Sequence, residues 1–184
     1  MDTPPASTFD RAMAFVLRYE GGFVNHPADP GGATNHGVSL RFARSLGRLL
    51  DLDRDGDVDA DDIMLVTPAE AATLYRRRFW DAVRADDLPP AIAVVAFDTA
   101  INCGPARAAR WLQGGLGVAQ DGSIGPRTLA AALAARVDGV VAEMLTQRLI
   151  HHASLPTWPT FRVGWTRRCV ALLQLAAAEA EGGA

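Results

Sequence analysis

The sequence predicts a mainly α-helical fold with a small glycine-rich loop or hairpin lobe. Apolar residues recur at helical spacing along most of the chain, and capping residues or prolines stand where helices would begin. Glycine-rich segments, which favour turns, separate these helices. With 184 residues and 49% apolar content, the chain can bury a core as one large or two small domains.

Cap and breaker residues bound eight predicted helices. In order they cover 8–20, 40–50, 68–80, 90–103, 105–113, a segment from 126, 139–151 and 161–180. The expected N-caps include Ser7 or Thr8, Ser39, Thr67 and Asp138. Between the first two helices, residues 23–37 hold five glycines and prolines, so we expect turns or a short hairpin there.

Charge and hydropathy exclude several classes of protein. All 18 basic residues are arginine, but they are scattered, so we expect no nucleic-acid partner. No apolar run approaches the roughly 18 to 20 residues that span a bilayer, so we expect no membrane insertion. The first residues lack the basic and apolar regions of a signal peptide, and we expect synthesis in the cytoplasm without one.

Glu20 is the leading candidate for an acid catalyst. Of the five glutamates, Glu70 belongs to a capping box, Glu143 falls within a helix, and Glu179 and Glu181 lie in an expected frayed tail. Glu20 alone stands where a predicted helix meets glycines that leave room for a ligand. The negative end of the helix dipole should raise the pKa of its carboxyl. A solvated glutamate at an ordinary helix end is the alternative.

Asp29 and Thr34 follow Glu20 on a loop rich in glycine and proline. An acid opposed by a carboxylate and a hydroxyl can protonate one oxygen while orienting a water molecule, as glycosidic bond cleavage requires. Asp29 could instead be a turn residue bonded to its own backbone, and Thr34 a loop hydroxyl.

The segment from Glu20 to Gly37 resembles the signature of glycoside hydrolase family 108, the bacterial and phage N-acetylmuramidases, and the likeness continues through 75–80. The resemblance implies a lysozyme-like α+β fold and cleavage of the β-1,4 bond between N-acetylmuramic acid and N-acetylglucosamine. It implies Glu20 as general acid, with Asp29, helped by Thr34, stabilising the oxocarbenium-like state and activating water. If the carboxyl groups of Glu20 and Asp29 lie about 6.5 to 9.5 Å apart, cleavage would invert the anomeric configuration. A separation of about 5 Å would retain it.

Two alternatives remain open at this stage. A lytic transglycosylase would use Glu20 alone and make Asp29 expendable. A calcium-ordered module that binds cell wall or assists secretion would not be an enzyme. The expected partner is the glycan strand of peptidoglycan. We expect a monomer that acts in the cell wall or periplasm after holin-type or other non-classical export.

An acidic segment over residues 51–62 has the pattern of a calcium loop. It carries seven aspartates and one arginine, a charge of −6, so the rest of the chain carries −3 minus −6, or +3. Aspartates fill loop positions 1, 3 and 5, glycine stands at 6, and an acid closes position 12, as in EF-hands, although aspartate at position 12 resembles dockerin loops. We expect structural Ca²⁺; a solvated acidic loop is the alternative. The predicted ligands are Asp51, Asp53, Asp55, Asp57 and Asp62.

The C-terminal half resembles the peptidoglycan-binding-type region that accompanies this hydrolase family. The likeness rests on residues 97–102, 121–128 and 158–168. We therefore expect a catalytic region over 8–96 and a helical peptidoglycan-binding-type region over 97–182, packed as one globule. Asp98 and Asn102 share a helix face and form either a buried hydrogen-bonded pair or a cleft floor that contacts sugar hydroxyls. Cys103 and Cys169 are expected to be buried free thiols.

Overall fold

The structure is a computed structural model that describes residues 6–20, 23–25 and 32–182. It confirms a mainly α-helical fold with a small antiparallel hairpin. The helices are α1 (Thr8–Glu20), α2 (Leu40–Ser45), α3 (Ala60–Leu65), α4 (Pro68–Tyr75), α5 (Pro90–Cys103), α6 (Pro105–Gly115), α7 (Pro126–Ala134), α8 (Val137–Ala153) and α9 (Trp158–Gly182). Among the described residues, no helix combines the length and the apolar character needed to cross a bilayer.

The chain divides into two compact units, of which one is Met13–Tyr75 and the other combines Met1–Ala12 with Arg76–Ala184. The boundary expected between residues 96 and 97 lies inside α5. The division of roles between the two predicted regions stays a prediction.

The larger unit is built around α5, which packs against α6, α8 and α9. Ten consecutive residues of α5, from Ala91 to Ala100, are buried. A helix that is apolar on every side can be stable only at the centre of a bundle, where each face finds a partner. Trp80, which is 1% exposed, packs edge-on against Phe9 and Phe97, so its indole belongs to the core.

The smaller unit contains the hairpin, formed by β1 (Thr34–Asn35) and β2 (Val38–Ser39). The two connecting residues, His36 and Gly37, have φ of 48° and 78°. Two successive positive φ values are the pattern of a type I′ turn, whose twist matches that of the strands. Ser39 then caps α2, its side chain accepting a hydrogen bond from the Phe42 N–H at 3.2 Å.

Several element boundaries differ from the prediction. The helix expected to reach Leu50 ends at Ser45 and gives way to a 3₁₀ turn (Gly47–Leu50), because Gly47 has a φ of +65°. The helix expected over 68–80 changes after Tyr75 into a π-helical turn (Arg76–Trp80). α3 was not predicted.

The two C-terminal helices also begin at other residues than predicted. α8 begins at Val137, and Asp138 lies in its first turn and pairs with Arg136 instead of capping the helix. α9 begins at Trp158, three residues before the predicted start. Pro159 is tolerated in the first turn of the helix, because N–H groups there have no carbonyl partner within the helix.

The expectation of a frayed C-terminal tail was wrong at Glu179. Glu179 is only 5% exposed, and its carboxylate accepts hydrogen bonds from Arg11, one of them at 2.6 Å. A buried carboxylate is stable only with such a partner, so this pair fixes the end of α9 within the larger unit.

Candidate functional site

The three candidate catalytic residues belong to the smaller unit. Glu20 is the last residue of α1, as the sequence predicts, but the position of its carboxyl group lies outside the described part of the structure. Asp29 lies outside the described residues. Thr34 opens β1, where its side-chain hydroxyl makes a long contact of 3.4 Å with the Gly32 carbonyl.

Thr34 is held by backbone pairing on both sides. It pairs with Ser39 in the hairpin, and its N–H and carbonyl also exchange hydrogen bonds of 2.8 Å with Val24. Val24, which follows Glu20 by four residues, is therefore joined to the hairpin by an isolated antiparallel bridge. This pairing fixes the backbone that carries the Thr34 hydroxyl.

The neighbouring Asn35 anchors the hairpin to α3. Its side-chain amide is buried and donates to the carbonyls of Met64 at 3.3 Å and Val66 at 3.2 Å. These carbonyls lie at the C-terminal end of α3, where the helix leaves acceptors without an internal partner. The sequence offered only a turn-forming residue type at this position, so this anchoring role was missed.

Apolar side chains flank Glu20 along the chain. Tyr19 is 37% exposed and Phe23 38% exposed. Aromatic rings with open faces can pack against the apolar faces of sugar rings. The exposure of Tyr19 depends on how α1 packs, so residue type alone does not indicate it.

The acidic segment brings two groups of carboxylates together. Ligand atoms of Asp51, Asp53 and Asp55 lie within 4.8 Å of one another, and those of Asp57, Asp59 and Asp62 form a second group of the same size. Backbone N–H groups of Asp55 and Asp57 donate to the carboxylates two residues earlier, each at 3.1 Å. The loop thus folds into the tight turns that cation loops use.

Asp62, the predicted closing ligand, is 1% exposed and already accepts hydrogen bonds from three backbone N–H groups. Burial by itself raises the pKa of the Asp62 carboxyl, but the N–H groups of Asp59, Asp53 and Leu52 outweigh it and hold the pKa below its usual value. With Asp59 it also forms a capping box that begins α3. The sequence could have indicated this helix start, since Asp59 and Asp62 stand three residues apart.

The donor set fits a hard cation. One carboxylate oxygen of Asp51, Oδ1, is buried and has no hydrogen-bond partner among the described residues. Repulsion from Asp55 is the largest effect that raises the pKa of the Asp57 carboxyl above its usual value. A divalent cation would relieve both the missing partner and the repulsion.

Asp98 and Asn102 occupy different environments. Asp98 is 1% exposed, and its carboxylate accepts from Arg148 at 2.6 Å and from Arg168 at 2.6 Å. Asn102 is exposed, and its amide donates to the backbone carbonyl of Asp98 at 2.8 Å. The sugar-contact role stays a prediction, and the ionic pairing of Asp98 favours a structural role for that residue.

The guanidinium groups that surround Asp98 belong to a larger buried cluster. Arg148 also donates from Nε to Nε2 of His152 at 3.3 Å, and Trp165 stacks on that imidazole with ring centroids 4.4 Å apart. Burial, with Arg148 as the next cause, lowers the pKa of His152 to about 4. The imidazole is therefore neutral at physiological pH.

Both cysteines are free thiols, Cys169 buried and Cys103 half-buried. Burial is the main cause that raises the pKa of each thiol. Neither is therefore a reactive thiolate at neutral pH.

The comparisons with known proteins agree with the fold and the motif. A family profile described as glycosyl hydrolase 108 matches residues 13–104, which are 92 of the 184 residues. This stretch includes Glu20, Asp29, Thr34 and the acidic loop. The solved structure of Brucella abortus SagA is 38% identical in sequence, with a TM-score of 0.81, and the match covers 94% of this chain and 95% of that chain.

The comparison with curated proteins found no match. The profile match over half of the chain and the similarity to SagA over nearly its whole length are together sufficient to assign the family. This chain belongs to glycosyl hydrolase family 108 and is a glycoside hydrolase that acts on peptidoglycan.

Proposed function

We propose that the chain is an N-acetylmuramidase of the lysozyme type, which hydrolyses the β-1,4 bond between N-acetylmuramic acid and N-acetylglucosamine. The observation that carries this proposal is the position of Glu20 at the end of α1, four residues before Val24, whose backbone pairs with that of Thr34. An acid at that end of a helix experiences the negative end of the dipole, which favours the protonated form.

In this proposal Glu20 donates its proton to the glycosidic oxygen as the bond breaks. Asp29 stabilises the positive charge that develops on the sugar ring and activates the attacking water, and Thr34 helps to orient that water. The backbone of Thr34 is held by hydrogen bonds to Val24 and by its place opposite Ser39 in the hairpin, which supports a fixed position for its hydroxyl. Preorganised groups of this kind cost no rearrangement during the reaction.

The test compares the turbidity of purified peptidoglycan digested by wild type and by Glu20→Gln. Because glutamine cannot donate the proton, we expect the rate to fall by at least about a hundredfold. Glu181→Gln is the matched control, since Glu181 is exposed near the end of α9, and we expect it to digest as fast as wild type. Equal activity of wild type and Glu20→Gln would remove Glu20 from this role.

We further propose that the acidic loop holds a structural Ca²⁺, with ligands from Asp51, Asp53, Asp55, Asp57 and Asp62. The unpartnered oxygen of Asp51 and the proximity of the neighbouring carboxylates support it. The ion would stabilise the turn between α2 and α3, and it would take no part in bond cleavage, which needs only carboxyl groups.

We propose as well that the protein acts as a monomer on the cell wall. The basis for this location is the family's substrate, which lies outside the cytoplasm.

A further inference from the structure

The hairpin that carries Thr34 is too small to be stable by itself. Its strands β1 and β2 have two residues each, and an isolated two-stranded hairpin is at best marginally stable in water. The contact of 3.4 Å between the Thr34 hydroxyl and the Gly32 carbonyl is too long to fix the side chain. The position of this hydroxyl therefore depends on what holds the backbone of the hairpin.

The short helix α3 has the same weakness. It contains six residues, and isolated helices shorter than about 12 to 15 residues are marginal in water. Its start is fixed by the capping box that includes Asp62. The carboxylate of Asp62, which is 1% exposed, also accepts a hydrogen bond from the Leu52 N–H at the beginning of the acidic loop. The first turn of α3 is therefore held by the acidic loop.

A single buried amide joins the hairpin to the other end of α3. Asn35, the residue after Thr34, is 6% exposed, and its Nδ2 donates to the carbonyls of Met64 at 3.3 Å and Val66 at 3.2 Å. An amide nitrogen carries two hydrogens, so the donor capacity of Asn35 is committed to this helix end. Because neither element is stable alone, each depends on the other through this contact, and their order is coupled.

We propose that Asn35 is a positioning residue for bond cleavage, and that α3 transmits the state of the acidic loop through it to the hairpin. With the loop closed on calcium, the first turn of α3 is fixed and its end holds Asn35, which stabilises the pairing of Thr34 with Val24. Asn35 acts through Thr34 and needs no contact with the substrate. The inference rests on the proposed function, since Thr34 orients the attacking water there, and on the proposed calcium ligands.

Amide hydrogen exchange of the full ¹⁵N-labelled chain, followed by NMR with calcium and with chelator, tests this coupling. The N–H groups of Val24 and Thr34, which bond across the bridge, report the order of the hairpin. We expect calcium to slow their exchange by roughly tenfold in wild type, a typical size for coupling between two sites. In Asn35→Ala, which loses both bonds to α3, calcium should leave their exchange unchanged.

Two further measurements separate positioning from a merely structural role. Coupling is reciprocal, so Asn35→Ala should weaken calcium binding, measured by isothermal titration calorimetry, by the same factor of roughly ten, although residue 35 lies outside the loop. With calcium present, this variant should lower kcat on solubilised peptidoglycan by about tenfold and leave KM within about twofold, because a displaced Thr34 misorients water without removing a sugar contact. Thr73→Ala is the matched control, since it removes one hydrogen bond to a backbone carbonyl at an exposed position of α4, and it should behave as wild type in each measurement.

The exchange of the wild type decides the coupling even if Asn35→Ala does not fold. The proposal is overturned if calcium alters the amides of the loop without slowing exchange at Val24 and Thr34, or if it alters no amide of the loop. It is also overturned if Asn35→Ala responds to calcium, or cleaves peptidoglycan, as wild type does. No bond is cleaved in the exchange and calorimetry experiments. An inactive wild type with the expected exchange would therefore contradict the proposed function and leave the link between loop and hairpin intact.

Discussion

Asp98 places a carboxylate inside a helix that is otherwise almost entirely apolar. Burial alone strongly disfavours its charged form, but the two guanidinium groups of Arg148 and Arg168 outweigh that effect and lower the pKa of Asp98. Three ionised groups thus share one desolvated position. Such a cluster depends on every member, because removing one leaves the others charged and unpaired.

We therefore expect Asp98→Ala to lower the free energy of unfolding by about 3 to 5 kcal/mol, because two buried guanidinium groups lose their anion. Urea denaturation measures this change. Asp138→Ala is the control, since Asp138 and Arg136 form an exposed pair, and its stability should stay close to that of wild type. An Asp98→Ala variant as stable as the control would mean that the cluster is not structural.

The candidate residues differ in how far the sequence alone could describe them. Residue type and chain position were enough to single out Glu20 as a candidate, because two glycines follow it directly in the sequence. They could not reveal the pairing of Asp98, since Arg148 and Arg168 lie 50 and 70 residues further along the chain. Pairing over such distances arises only when α8 and α9 pack against α5.

At the scale of elements, the acidic loop connects the α2 region to α3, and its stability depends on how its negative charge is balanced. Aspartates repel one another here, and the pKa of Asp57 is raised mainly by Asp55. An ion bound only by the folded loop shifts unfolding in proportion to the logarithm of its concentration.

We expect removal of calcium by a chelator to lower the melting temperature by roughly 5 to 10 °C, which corresponds to an ion at about a hundred times its dissociation constant. Differential scanning calorimetry with and without chelator measures this shift. Asp55→Ala should melt at the same temperature in both conditions, because the site has lost a ligand. If neither the chelator nor added calcium changes the melting temperature of the wild type, the calcium proposal is contradicted.

Helix starts marked by a serine or threonine cap were easier to predict than helix ends and interruptions. The start of α1 was expected from Ser7 or Thr8, and Ser7 and Asp10 indeed exchange capping hydrogen bonds. The capping box at Thr67 and Glu70 also forms as predicted. Caps are local, so the sequence encodes them directly. The break at Gly47 depends instead on a backbone conformation that glycine permits but does not require.

On the scale of the whole molecule, the buried cluster around His152 links stability to pH. The pKa of this imidazole is lowered from 6.5 to about 4, so the unfolded chain takes up the proton at a higher pH than the folded chain does. The unfolded state therefore binds more protons between these values. By linkage, the contribution of His152 is fully present above pH 6.5 and is lost as the pH falls toward 4.

We expect the free energy of unfolding to fall by roughly 2 kcal/mol between about pH 7 and pH 5 because of His152. Urea denaturation across this range measures the slope. His152→Gln should flatten the slope, since glutamine does not titrate, whatever the variant's absolute stability. An identical slope in wild type and His152→Gln would show that other groups determine the acid sensitivity.

Family membership describes a glycoside hydrolase that acts on peptidoglycan, and the helical architecture agrees with that family. The excess of negative charge is confined to the acidic loop, and the rest of the chain is mildly positive. The positively charged remainder of the chain suits the approach to an anionic polymer, and the proposed Ca²⁺ would neutralise part of the loop's charge.

The most direct measurement is mass spectrometry of peptidoglycan fragments released by the purified protein in water enriched in ¹⁸O. Hydrolysis at the muramic acid bond predicts new reducing ends on N-acetylmuramic acid that carry one ¹⁸O atom, and their loss in Glu20→Gln. Fragments that end in 1,6-anhydromuramic acid without ¹⁸O, or new reducing ends on N-acetylglucosamine, would contradict the proposed reaction.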